Sequence, residues 1–252
     1  MNQTNKNLVI LQIDSLGVAT ITLNRPLKHN ALNVAVLDLL NQAIENVENH
    51  QGITAVILRG NGPTFCAGAD LKEWADATSH EARSMSSKGS KIFDRLSKIQ
   101  APTIAMIQGG AIGGGLELAL ACDFRIATNQ SKLGFPEVRL GSLPSWGGIM
   151  RLVGLVGTGI AKPILLTGVL FSGEEALEKG IITFASLPSE IESQLKLFLS
   201  ELLKGETGIQ SILKSLIQST EHNFSIESQL AGYTSISETS KTRKNAFFQT
   251  KK

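Results

Sequence analysis

Apolar and polar residues change their period several times along this chain, and each change marks an element. Residues 8–13 and 18–23 read as two short strands about Asp14-Ser15-Leu16-Gly17, a hairpin signal, and Asn24-Arg25-Pro26 ends the second. Residues 31–49 carry Leu32, Val36, Leu40, Ala43 and Val47 at helical spacing, which predicts an amphipathic helix. Residues 53–59 (ITAVILR) are almost continuously apolar, as in a strand covered on both faces. After the turn Asn61-Gly62-Pro63 comes the small-residue segment Phe65 to Leu71, then a helical pattern over 72–99. Its polar middle, Thr78-Ser79-His80 and Ser84 to Ser90, is expected to be the most mobile part of the first half.

The stretch Thr103 to Cys122 is the densest signal. It starts as a buried strand, TIAMI, and ends as an apolar helix, LELALAC, with Gly109, Gly110, Gly113, Gly114 and Gly115 between them. Glycine lets a backbone approach a ligand closely, and the first amides of a helix have no intrahelical partner. Glu117 follows, an acid on an otherwise apolar helix. The glycine spacing fits neither G-x-G-x-x-G nor a P-loop, and a carboxylate here would repel a phosphate. The group expected at these amides is a carbonyl that becomes an oxyanion; a tightly packed strand–helix crossover explains the glycines equally well.

Further along, Phe124 to Ala127 reads as a short strand, and residues 132–145, with two glycines and two prolines, as an irregular loop carrying Glu137. Helices are predicted over 147–156 and 158–167, the second kinked or delayed by Pro163. Ser172 and Glu175 form a capping box, and Gly180 ends that helix. Beyond residue 188 the pattern is polar and helical, with no further strand. Alternating strands and helices imply an α/β core followed by a helical appendage.

Composition narrows the function classes. The 252 residues are 42% hydrophobic and 18% charged, with a net charge of +2, which gives no electrostatic basis for nucleic-acid binding. Two cysteines, Cys66 and Cys122, sit among small apolar residues, so a reduced, cytoplasmic setting is expected. The N-terminus lacks a signal-peptide pattern, and no apolar stretch reads as long enough to span a bilayer, so no membrane contact is expected. The four histidines lack metal-ligand spacing, so no metal site is expected.

Four segments taken together resemble the crotonase superfamily of enoyl-CoA hydratases and isomerases. They are Asn24-Arg25-Pro26 with Asn30-Ala31-Leu32; Phe65-Cys66-Ala67-Gly68-Ala69-Asp70-Leu71; Gly109 to Leu118; and Phe135 to Gly148. The closing Ala246-Phe247-Phe248 and Lys251-Lys252 extend the likeness to the end of the chain. The resemblance implies an α/β, ClpP-like crotonase spiral of repeated ββα units over 1–190 and a helical trimerisation region over 191–252. It also implies an acyl-CoA substrate, self-association as a trimer or hexamer, and no cofactor beyond the coenzyme A of the substrate.

At matching positions it implies roles. The amides of Ala69 and Gly114 would receive the thioester oxygen, and Glu117 and Glu137 would be the two catalytic carboxylates. Lys28, Ala31, Ala67, Ala69, Asp70, Leu71, Gly113 and Gly114 would lie along the coenzyme A path, and Pro144, Ser145 and Trp146 would border the substrate pocket. Asp70 also reads as a helix N-cap, and Trp146 either lines the acyl pocket or packs in the core. Ser145 stands where the hydratases usually have Gly, and Ile149-Met150 where they have Thr-Gln, which bears on the substrate. Hydration of a 2-enoyl-CoA is the activity expected; double-bond isomerisation, another lyase reaction of the same fold, and acyl-CoA binding without catalysis are the alternatives.

Overall fold

The structure is a computed structural model that describes residues 7–74, 77–218, 229–232, 234 and 237–249. Strand β1 (Val9–Ile13) pairs antiparallel with β2 (Val18–Leu23) as the expected hairpin. Asp14 Oδ1 accepts from Leu16 N–H at 2.8 Å and Val18 N–H at 3.0 Å, which closes the turn. β3 (Ala55–Gly60), β4 (Thr103–Ile107), β6 (Phe124–Thr128) and β9 (Phe184–Ser186) then add in parallel, giving the order β1-β2-β3-β4-β6-β9. A second sheet joins three short strands, β5 (Ala111–Ile112), β7 (Lys132–Gly134) and β8 (Phe171–Ser172).

The large sheet is covered on both faces, which is why β3 and β4 read as unbroken apolar runs. Successive side chains point to opposite faces. Val56, Leu58, Ala105 and Ile107 join the main core with α1 (Val34–Asn49) and α3 (Ser79–Ser97). Ala55, Ile57, Ile104 and Met106 join a second cluster with Ile191 and Leu195 of α7 (Ile191–Leu202). Phe198 of α7 packs edge-on against Phe124 and Phe184, with ring centroids 4.9 and 5.3 Å apart.

Several expected elements differ in extent. The helix expected from residue 31 starts at Val34, because the Asn33 side chain accepts from Val36 N–H and caps it there. The helix expected over 72–99 is two: α2 (Leu71–Trp74) and α3, with residues 75 and 76 outside the described part. The polar middle at Thr78-Ser79-His80 is the start of α3, where Thr78 and Glu81 form a capping box. The expected irregular loop 132–145 holds β7 and a 3-10 turn, Pro136–Leu140. Strands β5, β8 and β9 are too short to leave a period in the sequence.

α4 spans Gly114–Leu120 and α6 Gly173–Glu178, capped by Ser172 as expected. α5 (Gly148–Thr167) is interrupted at Gly157 (φ 73°, ψ 167°), which matches the two helices expected; the break lies there and not at Pro163. Reading it as two pieces hid its length. With 20 residues, α5 is long and apolar enough to cross a membrane by length and composition, contrary to expectation. It nevertheless packs on α4, and its sequence includes Arg151, Lys162 and Pro163.

The chain forms two compact units, Met1–Lys204 and Gly205–Lys252. α7, assigned to the appendage from sequence, therefore belongs to the first, because its apolar face completes the second core cluster. The second unit holds α8 (Thr207–Gln218), none of whose residues is buried, and α9 (Glu238–Gln249). Of the closing segment, Lys251 and Lys252 lie outside the described residues. Replacing Leu195, 4% exposed, with Ala should lower stability by roughly 2–5 kcal/mol. Urea denaturation measures this, and a change below about 0.5 kcal/mol, the usual range of a surface substitution, would detach α7 from the core.

Candidate active site

Two loops and one helix meet at the segment that dominates the sequence. The first loop, residues 25–32, is tied to the second, 61–70, by both backbone and side chains. Asn30 is 1% exposed and sits at φ 56°, where its side chain does unusual duty. Its Oδ1 accepts from Arg25 N–H at 2.8 Å, and its Nδ2 donates to Asn61 O at 3.0 Å and Thr64 O at 2.7 Å. Ala67 N–H donates to His29 O, Leu32 N–H to Gly68 O and Asp70 N–H to Leu32 O, at 2.9, 2.7 and 3.0 Å. Arg25 closes the junction through a 2.7 Å ion pair with Asp70 and a bond to Ala31 O. That guanidinium holds the Asp70 carboxyl below the usual carboxylate range. Asp70 also accepts weakly from Lys72 N–H at 3.3 Å, so it caps α2 only in part.

The bridge between Leu32 and Ala69 uses the groups of Gly68 and Asp70, so Ala69 N–H points away from Leu32. Gly68 brings it toward α4. At Gly68 φ is 91°, and a Cβ there would lie 2.6 Å from Ile112 O and 3.1 Å from Gly114 N. Gly114 is the first residue of α4, so its N–H has no intrahelical acceptor. Ala69 thus follows a residue that lies against the Gly114 amide, although Ala69 and Gly114 are 45 residues apart in sequence.

Glu117 is 2% exposed, on a helix whose residues are all buried. Its Oε1 accepts from Trp146 N–H at 2.7 Å and Gly148 N–H at 2.8 Å. Arg151, one turn into α5, donates to Trp146 O at 2.9 Å, so its charge stands behind the loop that grips Glu117. Burial pushes the Glu117 carboxyl above its ordinary range, while the two N–H donors and the Arg151 charge oppose that shift.

Glu137 is placed differently. It is the second residue of the 3-10 turn and is half-buried, with its carboxyl against Gly113: a Cβ on Gly113 would lie 2.5 Å from Oε1. Its Oε2 is buried and takes no hydrogen bond among the described residues. Burial first, and then the neighbouring Glu117 charge, push this carboxyl up to about 7. The site therefore holds one acid steadied by donors and one that keeps its proton near neutral pH.

The structure thus brings together Ala69, Gly113, Gly114, Glu117, Glu137 and Trp146. Lys28, Ala31, Ala67 and Leu71 lie along the tied loops, with Lys28, Ala67 and Leu71 exposed. Pro144 is buried and Ser145 half-buried, with Ser145 O accepting from Ser86 Oγ at 3.1 Å. Trp146 is 2% exposed, its ring edge-on to Phe93 at 5.4 Å. Cys66 is buried and donates to Asn30 O, with its thiol pushed up to about 12 by burial. Three residues went unremarked in the sequence: Arg151, Ser86, and the buried guanidinium of Arg125. The last donates to Ile181 O, Cys122 O and Ala119 O at 2.6, 2.7 and 3.4 Å, binding carbonyls at the C-terminal end of α4. Arg151 falls four residues after Gly147, the one sequence cue to a side chain folding back on that loop.

The profile of the enoyl-CoA hydratase/isomerase family matches residues 14–252. A short-chain-enoyl-CoA hydratase of Clostridium acetobutylicum is 35% identical over 98% of this chain and 96% of that protein. A crotonyl-CoA hydratase of Syntrophomonas wolfei is 36% identical over 81% of this chain and 79% of its own length. The crystal structure of an enoyl-CoA hydratase from Bacillus anthracis superposes with a TM-score of 0.90 at 30% identity, covering 96% of both chains.

An acid whose folded pKa lies above its unfolded value adds stability that is complete below the unfolded value and lost as pH rises through the folded one. For Glu137 that window runs from 4.5 to about 7. Glu137→Gln stays neutral throughout, so its urea midpoint should fall less than that of the unmodified chain between about pH 4.5 and about pH 7. Equal slopes would mean that Glu137 is not held protonated.

Proposed function

The chain belongs to the enoyl-CoA hydratase/isomerase family, with the crotonase fold, and we propose that it adds water reversibly across the double bond of a 2-enoyl-CoA thioester. The observation that carries this reading is the unlike pair of acids: Glu117 gripped by two main-chain N–H groups, and Glu137 carrying its proton near pH 7. The hydratases among its relatives support it.

In the proposed reaction the thioester oxygen accepts hydrogen bonds from Ala69 N–H and Gly114 N–H. Glu117, as a carboxylate, removes a proton from water. The oxygen of that water bonds to C3, the double-bond electrons move to the thioester, and negative charge gathers on its oxygen. Two preorganised donors stabilise that enolate, and losing one such donor typically costs about 2.7–4 kcal/mol. Glu137 then gives its proton to C2. The product is a 3-hydroxyacyl-CoA, with Glu117 protonated and Glu137 ionised, and passage of one proton from Glu117 to Glu137 restores the start. Lys28, Ala31 and the Ala67–Leu71 segment would hold the coenzyme A moiety. No other cofactor enters the scheme.

Self-association accompanies this proposal. Exposed Met150, Leu155, Ile160 and Leu166 on α5, with Leu213 and Ile217 on α8, support a homotrimer or hexamer. Sedimentation of the full chain as a monomer would refute it.

The activity is tested with crotonyl-CoA. Hydration should remove the absorbance of the conjugated thioester, and Glu117→Gln and Glu137→Gln should each slow the reaction roughly 10²–10⁴-fold. Because Glu137 acts as the acid, hydration should fall as pH rises through about 7. Undiminished hydration in either variant would overturn the assignment. Absorbance that only rises, and only with a 3-enoyl-CoA, would make the chain an isomerase.

A further inference from the structure

We propose that the Trp146 indole closes the acyl end of the site, restricting the chain to short-chain enoyl-CoA thioesters; this rests on the hydratase reading above. In that reading the thioester is fixed at one point, the amides of Ala69 and Gly114. Coenzyme A lies to the side of Lys28 and Ala67, which are exposed. The acyl chain runs the other way, inward between Glu117 and Glu137. The residue that stands next along that path is Trp146, whose main-chain N–H donates to Glu117 Oε1 at 2.7 Å.

The indole fills that space. It is buried, and its six-membered ring lies so close to Gly114 that a Cβ there would overlap it. The opposite part of the ring lies as close to Gly89 on α3, and Phe93 on the same helix meets it edge-on. The ring therefore bridges α3 and α4 between two residues without side chains. Ser86, also on α3, holds the preceding carbonyl, so the ring is fixed from the backbone as well. Protein interiors are packed to the density of organic crystals, and a tail reaching toward α3 needs volume the indole already occupies. Without the ring, Gly89, Phe93 and Gly114 would enclose an apolar slot suited to methylene groups.

The test compares the unmodified chain with Trp146→Ala and Trp146→Phe. Hydration is measured with crotonyl-CoA and trans-2-decenoyl-CoA, and binding of the unreactive butyryl-CoA and decanoyl-CoA by calorimetry. One methylene in a fitted pocket is worth roughly 10–200-fold. The unmodified chain should therefore favour crotonyl-CoA in kcat/KM by about tenfold or more. Trp146→Ala should move that ratio toward the decenoyl substrate by about tenfold or more. Trp146→Phe, which keeps a smaller ring, should move it the same way by less, and decides the matter if the Ala variant does not fold. Equal use of both substrates by the unmodified chain, or an unchanged ratio in a folded variant, overturns the proposal. Calorimetry that favours butyryl-CoA with neither thioester hydrated would keep the wall and refute the hydratase reading instead.

Discussion

A carboxylate taken out of water must be met by donors, and the bonds from Trp146 N–H and Gly148 N–H to Glu117 answer that requirement. Much of the surrounding structure follows from it. Both N–H groups must point at one oxygen, so the loop ahead of α5 has to bend at Gly147, which takes φ 96°. The carbonyl between those two amides then faces away, and Arg151 collects it. A guanidinium behind the loop adds a favourable field at the acid without standing in the space in front of it. α5 therefore starts where it does because of Glu117, and its packing on α4 follows from the same contact.

The second acid shows what happens when that support is withheld. Glu137 reaches the same region from a 3-10 turn, with one oxygen buried and no donor for it among the described residues. Two carboxyls side by side do not both ionise easily, and the one with fewer donors keeps the proton. The difference in protonation between the two glutamates thus comes from main-chain geometry and not from residue type. The glycine at 113 matters for the same reason: any side chain there would collide with the Glu137 carboxyl.

Much of this was legible in the sequence, and the parts that were not share a cause. The glycine run and the acid after it stood out because glycine and charge are conspicuous among apolar residues, whereas Glu137 was singled out through the family resemblance of the Phe135 to Gly148 segment. The β1–β2 hairpin, β3, β4 and the division of α5 followed from period and punctuation. β5, β8 and β9 have two or three residues each, too few to show a period, and exist because neighbouring backbone needs partners. Thr78 looked like part of a weak helical stretch because a capping box and a polar helix interior have the same composition. Arg125 and Arg151 were invisible for a different reason: each acts on carbonyls, which every residue supplies. The contact between Gly89 and Trp146, distant in sequence, carries no local pattern at all.

Arg125 also has a consequence for how such a site diversifies. Its guanidinium gathers carbonyls from the far end of α4 and from Ile181, so the helix is moored at the end away from the chemistry. The depth and rotation of Glu117 are then inherited from that mooring. Residues 145 and 146 lie in the loop that meets Glu117 from the other side, where Ser86 and Arg151 hold the loop carbonyls. Side chains on that loop can therefore differ without moving the acid, provided the two main-chain N–H groups that meet it keep their places.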